Sequence, residues 1–105
     1  MPDDQCVVLT TAGSREEADL LAELLVSRKL AACVQICSIS SFYTWQGALH
    51  KEPEFLLLIK TVAYRYEDVE AAIVANHSYE VPEIAQLPVQ RGLDRYLAWV
   101  SENTA

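Results

Sequence analysis

The chain has 105 residues, of which 51% are hydrophobic, with only three Gly and four Pro. A chain of this size forms one domain and buries roughly two-thirds of the surface that it exposes when unfolded. Eight basic and fifteen acidic residues give a net charge of −7. This charge argues against nucleic-acid and membrane partners because it repels phosphate backbones and anionic lipids.

The N-terminal residues 1–5 are acidic and lack the basic and apolar segments of a signal peptide. No apolar run approaches the roughly 20 residues that a membrane-spanning helix needs. We therefore expect a soluble, cytoplasmic protein that forms a single domain over residues 1–105, with a disordered N-terminus at residues 1–5. The three cysteines are expected to be free thiols, because disulfide frameworks are typical of secreted chains.

The first predicted elements are a strand and a helix. Residues 6–11 form a short apolar, β-branched run that predicts the strand. Ser14 and Glu17 form an S-x-x-E capping box, which predicts that a helix begins next to them. The helix is expected over residues 15–28, because apolar residues repeat at helical spacing at Ala18, Leu21, Ala22 and Leu25.

The middle of the chain predicts a long β-hairpin. Residues 31–45 and 54–61 are rich in β-branched, aromatic and other apolar residues. Residues 46–49 between them offer a turn with one glycine, and Pro53 is placed near the start of the second arm. The first arm is long, since strands of about five or six residues are typical. One end of the hairpin is therefore expected to project beyond its own core.

The C-terminal part predicts a helix, a strand and a second helix. A helical period returns over residues 62–73, and Asn76 is predicted to end this helix as a left-handed cap. Residues 84–89 predict a short strand. Pro82 and Pro88 cannot donate ladder hydrogen bonds, so they place this strand at a sheet edge or bound it tightly. A final amphipathic helix is expected after Gly92.

The order of elements is βαββαβ followed by a C-terminal helix. Right-handed crossovers fold this order into an α+β, ferredoxin-like domain with an antiparallel sheet and both main helices on one face. The other face then needs cover, and the chain has five Tyr, two Trp and two Phe. An uncovered apolar sheet face beside a protruding hairpin predicts self-association.

Several short motifs occur in order along the chain: LAACV at residues 30–34, YTWQG at 43–47, IKT at 59–61, HSYEVPE at 77–83, LP at 87–88 and YLAW at 96–99. Over about residues 7–100 the chain closely resembles the CutA family of divalent-cation tolerance proteins. The resemblance implies a ferredoxin-like subunit in a homotrimer built by strand exchange at the sheet edges. It also implies a likeness to the trimeric PII signalling proteins and a link to copper and other divalent cations.

The resemblance implies candidate metal ligands as well. In the bacterial member for which copper binding is described, the proposed ligands are a cysteine in the first strand and two adjacent histidines after the second helix. The matching positions here hold Thr10, Asn76 and His77. Copper prefers thiolate, thioether or imidazole donors, so only His77 is a suitable ligand. We expect weak binding of copper or another divalent cation at His77, with no cofactor required; alternatively, His77 stabilises the end of the helix.

Other metal sites are weaker candidates. Cys33 and Cys37 share a face of the predicted strand but lie about 13 Å apart, at roughly 3.3 Å per residue. They cannot bind one metal within a chain, although a site shared between trimer subunits stays open. Glu80 and Glu83 offer oxygen ligands for hard cations, or are simply solvated. His50 beside the turn is expected to be solvent exposed.

No enzyme motif is present: the chain lacks a G-x-S-x-G, a Walker loop, an H-E-x-x-H and a dinucleotide fingerprint. We expect a non-enzymatic protein. As an alternative to metal tolerance, the trimer is a PII-like sensor that binds a small molecule between subunits, or a scaffold for a protein partner. A few polar groups among aromatic residues are typical of ligand pockets. The candidate ligand-binding residues are Trp45, Lys60, Tyr79, Glu80, Tyr96 and Trp99; alternatively, the tryptophans bury trimer interface and Lys60 pairs with an acid.

Overall fold

The computed structural model describes residues 4–105. These residues form a four-stranded antiparallel sheet in the order β2-β3-β1-β4, with three α-helices and one 3-10 turn. The elements in chain order are β1 (Gln5–Ala12), α1 (Arg15–Ser27), β2 (Cys33–Trp45), β3 (Ala48–Val62), the 3-10 turn (Ala63–Arg65), α2 (Tyr66–Asn76), β4 (Ile84–Pro88) and α3 (Asp94–Glu102).

The predicted ferredoxin-like architecture is confirmed. Strand β1 lies between β3 and β4 and is antiparallel to both, whereas β2 pairs with β3 only. The short strand β4 therefore lies at one edge of the sheet, which is one of the two alternatives that its prolines indicated. Strand β2 forms the other edge.

One face of the sheet packs against α1 and α2 and forms the core. Side chains alternate between the two faces of a strand, so every second residue of β1 and β3 points into this core. The central members are fully buried and come from four elements: Val8 on β1, Leu57 and Ile59 on β3, Leu21 and Leu25 on α1, and Val69 and Ile73 on α2. The 3.6-residue repeat that predicted α1 is this buried stripe.

The opposite face, called the open face below, is only partly covered within the described chain. Helix α3 covers one end of it, where the Gln5 side-chain amide donates to the Leu97 carbonyl at 3.0 Å and to the Ser101 hydroxyl at 2.8 Å. The rest presents half-buried apolar side chains such as Leu9 and Leu58, which lie opposite each other on β1 and β3. This face is the apolar surface that the sequence predicted would need cover.

The β2–β3 hairpin projects beyond the rest of the sheet, as predicted. Strand β1 ends at Ala12, opposite Phe55, so residues 39–54 pair only with each other; this segment is called the hairpin arm. Gln46 and Gly47 have φ angles of 52° and 80° and form the two-residue turn of a tight hairpin. Strand β3 begins at Ala48, six residues earlier than predicted, because an edge without a neighbour tolerates a proline.

The observed helix ends agree in part with those predicted from the sequence. The Ser14 hydroxyl accepts from the Glu17 N–H at 3.1 Å, which confirms Ser14 as the cap of α1. Asn76 is the last residue of α2, but the prediction of a left-handed cap there is wrong: the non-glycine residues with positive φ in the described chain are Lys29 and Gln46. Helix α2 ends because His77 is extended, with φ −99° and ψ 143°.

The N-terminal prediction is wrong at its inner boundary. Gln5 is the first residue of β1, and the Asp4 carbonyl accepts from the Ala63 N–H at 2.7 Å. Residues 1–3, which belong to the same predicted disordered segment, lie outside the described residues. Within residues 4–105, no helix combines the length and the apolar character that crossing a membrane requires.

Candidate functional site

The imidazole of His77 fixes the start of the segment that joins α2 to β4; residues 77–83 of this segment are called the cleft loop. The Nε2 atom lies 2.6 Å from the Thr11 carbonyl oxygen, and the Nδ1 atom accepts from the Tyr79 N–H at 3.0 Å. A carbonyl only accepts, so Nε2 carries the proton and the ring is the neutral Nε2–H tautomer. Both ring nitrogens are thus used in holding the cleft loop against β1.

A second contact ties the cleft loop to helix α1. The Glu17 carboxylate accepts from the Ser78 N–H at 2.8 Å and from the Ser78 hydroxyl at 3.1 Å. The carboxylate of the predicted capping box therefore binds the cleft loop rather than closing the box on its own helix. Because Glu17 lies in the first turn of α1, the helix dipole also stabilises its charge there.

Tyr79 connects the cleft loop to the hairpin arm. Its hydroxyl donates to the Glu54 carboxylate at 2.7 Å. Burial, followed by this hydrogen bond and the Glu54 charge, raises the pKa of Tyr79 above its ordinary value. Gly13 leaves room for this approach, because a Cβ at that position would lie 3.0 Å from the Tyr79 hydroxyl and would require it to shift slightly. The phenol is held protonated and in one orientation.

The arm and the cleft loop enclose a cavity of about 690 Å³, called the hairpin pocket. This volume lies within the roughly 300–1,000 Å³ of small-molecule sites. The pocket is lined by four aromatic residues, three carboxylates and two smaller residues: Phe42, Tyr43, Trp45 and Tyr79; Glu54, Glu80 and Glu83; and Ser41 and Val81. No basic side chain is among these lining residues, although the Lys51 ammonium lies 5.5 Å from the centroid of the Phe42 ring. The lining itself therefore carries negative charge.

The six predicted ligand-binding residues fall into two groups within one subunit. Trp45, Tyr79 and Glu80 line the hairpin pocket. Lys60 and Tyr96 line a smaller cavity of about 220 Å³ between the open face and α3. Trp99 joins this second group through Tyr96, since their ring centroids are 6.1 Å apart and nearly parallel.

Lys60 has a different partner from the one suggested by its charge. Its ammonium donates to the Gln35 side-chain oxygen at 2.8 Å, across the β2–β3 pair. The alternative in which Lys60 pairs with an acid is therefore wrong within the described subunit. Both Lys60 and Gln35 lie on the strands that carry the open face.

Sequence reasoning missed five residues that line the hairpin pocket: Ser41, Phe42, Tyr43, Glu54 and Val81. The two-residue turn at Gln46 and Gly47 would have given the hairpin register, which places Glu54 opposite Ile39 on the arm. No local signal pairs Glu54 with the cleft loop, because that contact depends on how the arm twists in three dimensions. Glu83 was considered only as a metal ligand.

Comparison with known proteins identifies the family. A model of the family described as CutA1 divalent ion tolerance protein matches residues 6–103. A protein from Thermus thermophilus, named divalent-cation tolerance protein CutA, is 43% identical over 99 residues, which are 93% of this chain and 96% of that protein. This chain belongs to the CutA1 family. The resemblance inferred from the short motifs is confirmed.

Solved structures agree with this assignment. CutA1 from Oryza sativa is 37% identical and superposes with a TM-score of 0.96, covering 99% of this chain and 96% of the other. The protein from Archaeoglobus fulgidus, described as periplasmic divalent cation tolerance protein CutA, is 38% identical with a TM-score of 0.92, covering 94% and 97%. The periplasmic description of this relative gives no support to the cytoplasmic location expected from the sequence.

The proposed metal ligands of the family do not form a copper centre in this subunit. Thr10 is fully buried and its hydroxyl has no hydrogen-bond partner among residues 4–105, while the Asn76 amide donates to the Ala72 carbonyl at 2.8 Å. A metal at His77 would have to displace one of the two hydrogen bonds that hold the cleft loop. Across residues 4–105, no three His, Cys, Asp or Glu side chains are grouped to hold a metal ion. The donor set does not fit copper.

The remaining candidate ligands are dispersed. Cys33 and Cys37 are free thiols opposite Lys60 and Leu56. His50 is not solvent exposed as expected: it is half-buried, and its ring stacks on Tyr43 with centroids 5.4 Å apart. The reason is the hairpin register, which places these two aromatic rings directly opposite each other.

Proposed function

We propose that this chain serves divalent-cation tolerance as a homotrimeric, non-enzymatic binding module, and that the hairpin pocket is its binding site. The observation that carries the proposal is the pocket itself, with four aromatic rings and three carboxylates around about 690 Å³. A concave aromatic site with a few placed polar groups is typical of small-molecule recognition. In this proposal the protein acts as a PII-like sensor, and the binding of a small molecule is the step through which it contributes to tolerance.

The open face and the sheet edges support the homotrimer. The open face is apolar and only partly covered by α3, and an isolated subunit would leave Leu9 and Leu58 in contact with water. The hairpin arm has unpaired backbone groups along both outer edges, which invite pairing with a neighbouring chain. Three subunits that pack their open faces together and exchange strands would satisfy both needs.

The chemistry of Tyr79 supports binding rather than catalysis. A catalytic base must give up its proton near neutral pH, whereas burial and the Glu54 carboxylate raise the pKa of this phenol. Glu54 is itself occupied as the acceptor of that hydrogen bond. These two groups orient the pocket wall instead of transferring protons.

His77 is proposed to bind a metal ion only weakly. The imidazole already donates to Thr11 and accepts from Tyr79, so a metal gains one nitrogen ligand at the expense of a loop contact. Strong copper sites combine several soft or nitrogen donors. Copper or another divalent cation would therefore bind through His77 weakly and would perturb the cleft loop when it did.

The proposed function is tested by growth under metal stress. A bacterial strain that lacks its own copy is complemented with this chain and challenged with elevated copper. We expect the double variant Glu80→Gln, Glu83→Gln to restore tolerance poorly, because it removes two pocket charges without changing side-chain size. The double variant Glu23→Gln, Glu102→Gln should restore tolerance like the parent, since both side chains are exposed and neither lines the pocket. Equal rescue by the two variants would contradict the proposal.

A further inference from the structure

We propose that the hairpin pocket binds a small organic cation, an ammonium or guanidinium group carried on an apolar body. This inference rests on the proposed function, because it names the ligand class of the same site. It depends on three features of the pocket: the sign of its charge, the nature of its walls, and the spacing of its carboxylates.

The charge of the pocket selects cations. Glu54, Glu80 and Glu83 line it, and none of the lining residues is basic. The whole chain carries a net charge of −7, which favours cations at long range, while the Lys51 ammonium beside Phe42 offsets part of the pocket charge. An anionic ligand would be repelled, and a neutral ligand would gain no attraction from the Glu80 and Glu83 charges.

The walls of the pocket favour an organic cation over a hydrated ion. Phe42 and Trp45 are 64% and 59% exposed, although large aromatic side chains are normally buried well beyond this. The Lys51 ammonium already lies 5.5 Å from the centroid of the Phe42 ring, and Tyr43 stacks on His50. The Trp45 ring is therefore the wall that we assign to contact an ammonium or guanidinium group. Such cation–π contacts contribute most when the cation is weakly hydrated, as a guanidinium is.

The spacing of the carboxylates argues against a divalent metal ion as the occupant. Within the described chain, residues 4–105, no three His, Cys, Asp or Glu side chains converge closely enough to hold a metal ion. A hard cation requires several oxygen ligands at about 2.0–2.6 Å, and Glu54 already accepts the Tyr79 hydroxyl. Carboxylates spread around an aromatic cavity suit a larger cation that spans the space between them.

The probe for the experiment is phenethylguanidinium, and its matched control is phenethylurea, which has nearly the same shape without the charge. Both are titrated calorimetrically into the parent protein, with Mg²⁺ and phenylpropionate as further probes. We expect phenethylguanidinium to bind at least about tenfold more tightly than phenethylurea, because only the cation forms ion pairs with the carboxylates and cation–π contacts with the aromatic wall.

Two variants locate the binding. The double variant Glu80→Gln, Glu83→Gln should weaken phenethylguanidinium binding by about tenfold or more, since each lost charge removes attraction in a partly enclosed site. The double variant Glu23→Gln, Glu102→Gln, which has the same net charge, should change it by less than about twofold. Circular dichroism of both variants establishes that they are folded.

The outcomes separate the ligand class from the proposed function. Equal binding of the urea, tighter binding of phenylpropionate, or preference for Mg²⁺ would overturn the organic cation while leaving the pocket as a binding site. Absence of binding to the parent protein would also overturn it. Failure of the growth test, in contrast, would remove the proposed function itself.

Discussion

Replacing Leu21 by alanine should lower the free energy of unfolding by about 2–5 kcal/mol. Leu21 is fully buried on α1 against the sheet, together with Leu25, Leu57 and Ile59. Truncation removes the transfer free energy of three carbon atoms and leaves a cavity, because a well-packed core collapses only partly. The effect is large for a domain whose whole stability is about 5–15 kcal/mol.

The adjacent residue provides the matched control. Leu20 lies on the same helix and is 52% exposed, so Leu20→Ala makes the same chemical change without a core cavity. We expect it to alter the free energy of unfolding by no more than about 0.5 kcal/mol. The measurement is urea unfolding at one fixed chain concentration, because assembly makes apparent stability depend on concentration. Similar losses in the two variants would show that the core is not where the structure places it.

Replacing Leu58 by glutamate should convert the proposed trimer into monomers. Leu58 lies at the middle of the open face, between Leu9 on β1 and Gln35 on β2. If the open faces of three subunits pack together, the substitution buries three carboxylates near one another. A buried charge without a partner costs several kcal/mol, so three of them would strongly destabilise the assembly.

Sedimentation velocity distinguishes the two states. The sedimentation coefficient of the parent should correspond to three times the chain mass of 11.7 kDa. That of Leu58→Glu should correspond to a single chain. Val74→Glu is the control, since Val74 is 58% exposed on α2, on the helical side of the sheet, and this variant should stay trimeric. A parent protein that is monomeric at micromolar concentration, or a trimeric Leu58→Glu, would contradict the assembly.

The order and type of the elements could be predicted from the sequence because local pattern determines them. The helical repeat through Leu21 and Leu25 and the capping residue Ser14 predicted α1, and the prolines around β4 indicated an edge strand as one of two alternatives. The start of β3 was predicted too late, because Pro53 was treated as a strand boundary when it lies on an arm with free edges. Local propensity therefore predicts that a strand exists, but its exact limits also depend on which strands pair with it.

The candidate site could be predicted only in part, since it is made by contacts between distant segments. Chemistry alone singled out Tyr79 and Glu80, but the Glu54 partner of Tyr79 lies 25 residues away, and Glu17 meets Ser78 across 61 residues. The same residue chemistry grouped Lys60, Tyr96 and Trp99 with them, although these side chains lie at a different cavity. Residue type identifies candidates, whereas the fold decides which of them share a site.

The two tryptophans of the chain provide the most direct test of the hairpin pocket as the binding site. Trp45 lines the hairpin pocket, and Trp99 stacks on Tyr96 beside the second cavity. Their indole N–H resonances can be assigned by NMR with the variants Trp45→Phe and Trp99→Phe, and then followed while phenethylguanidinium is added to the parent protein. We predict that the Trp45 resonance shifts and saturates while that of Trp99 stays in place. A shift of Trp99 alone, or of neither resonance, would contradict the assignment of the hairpin pocket as the functional site.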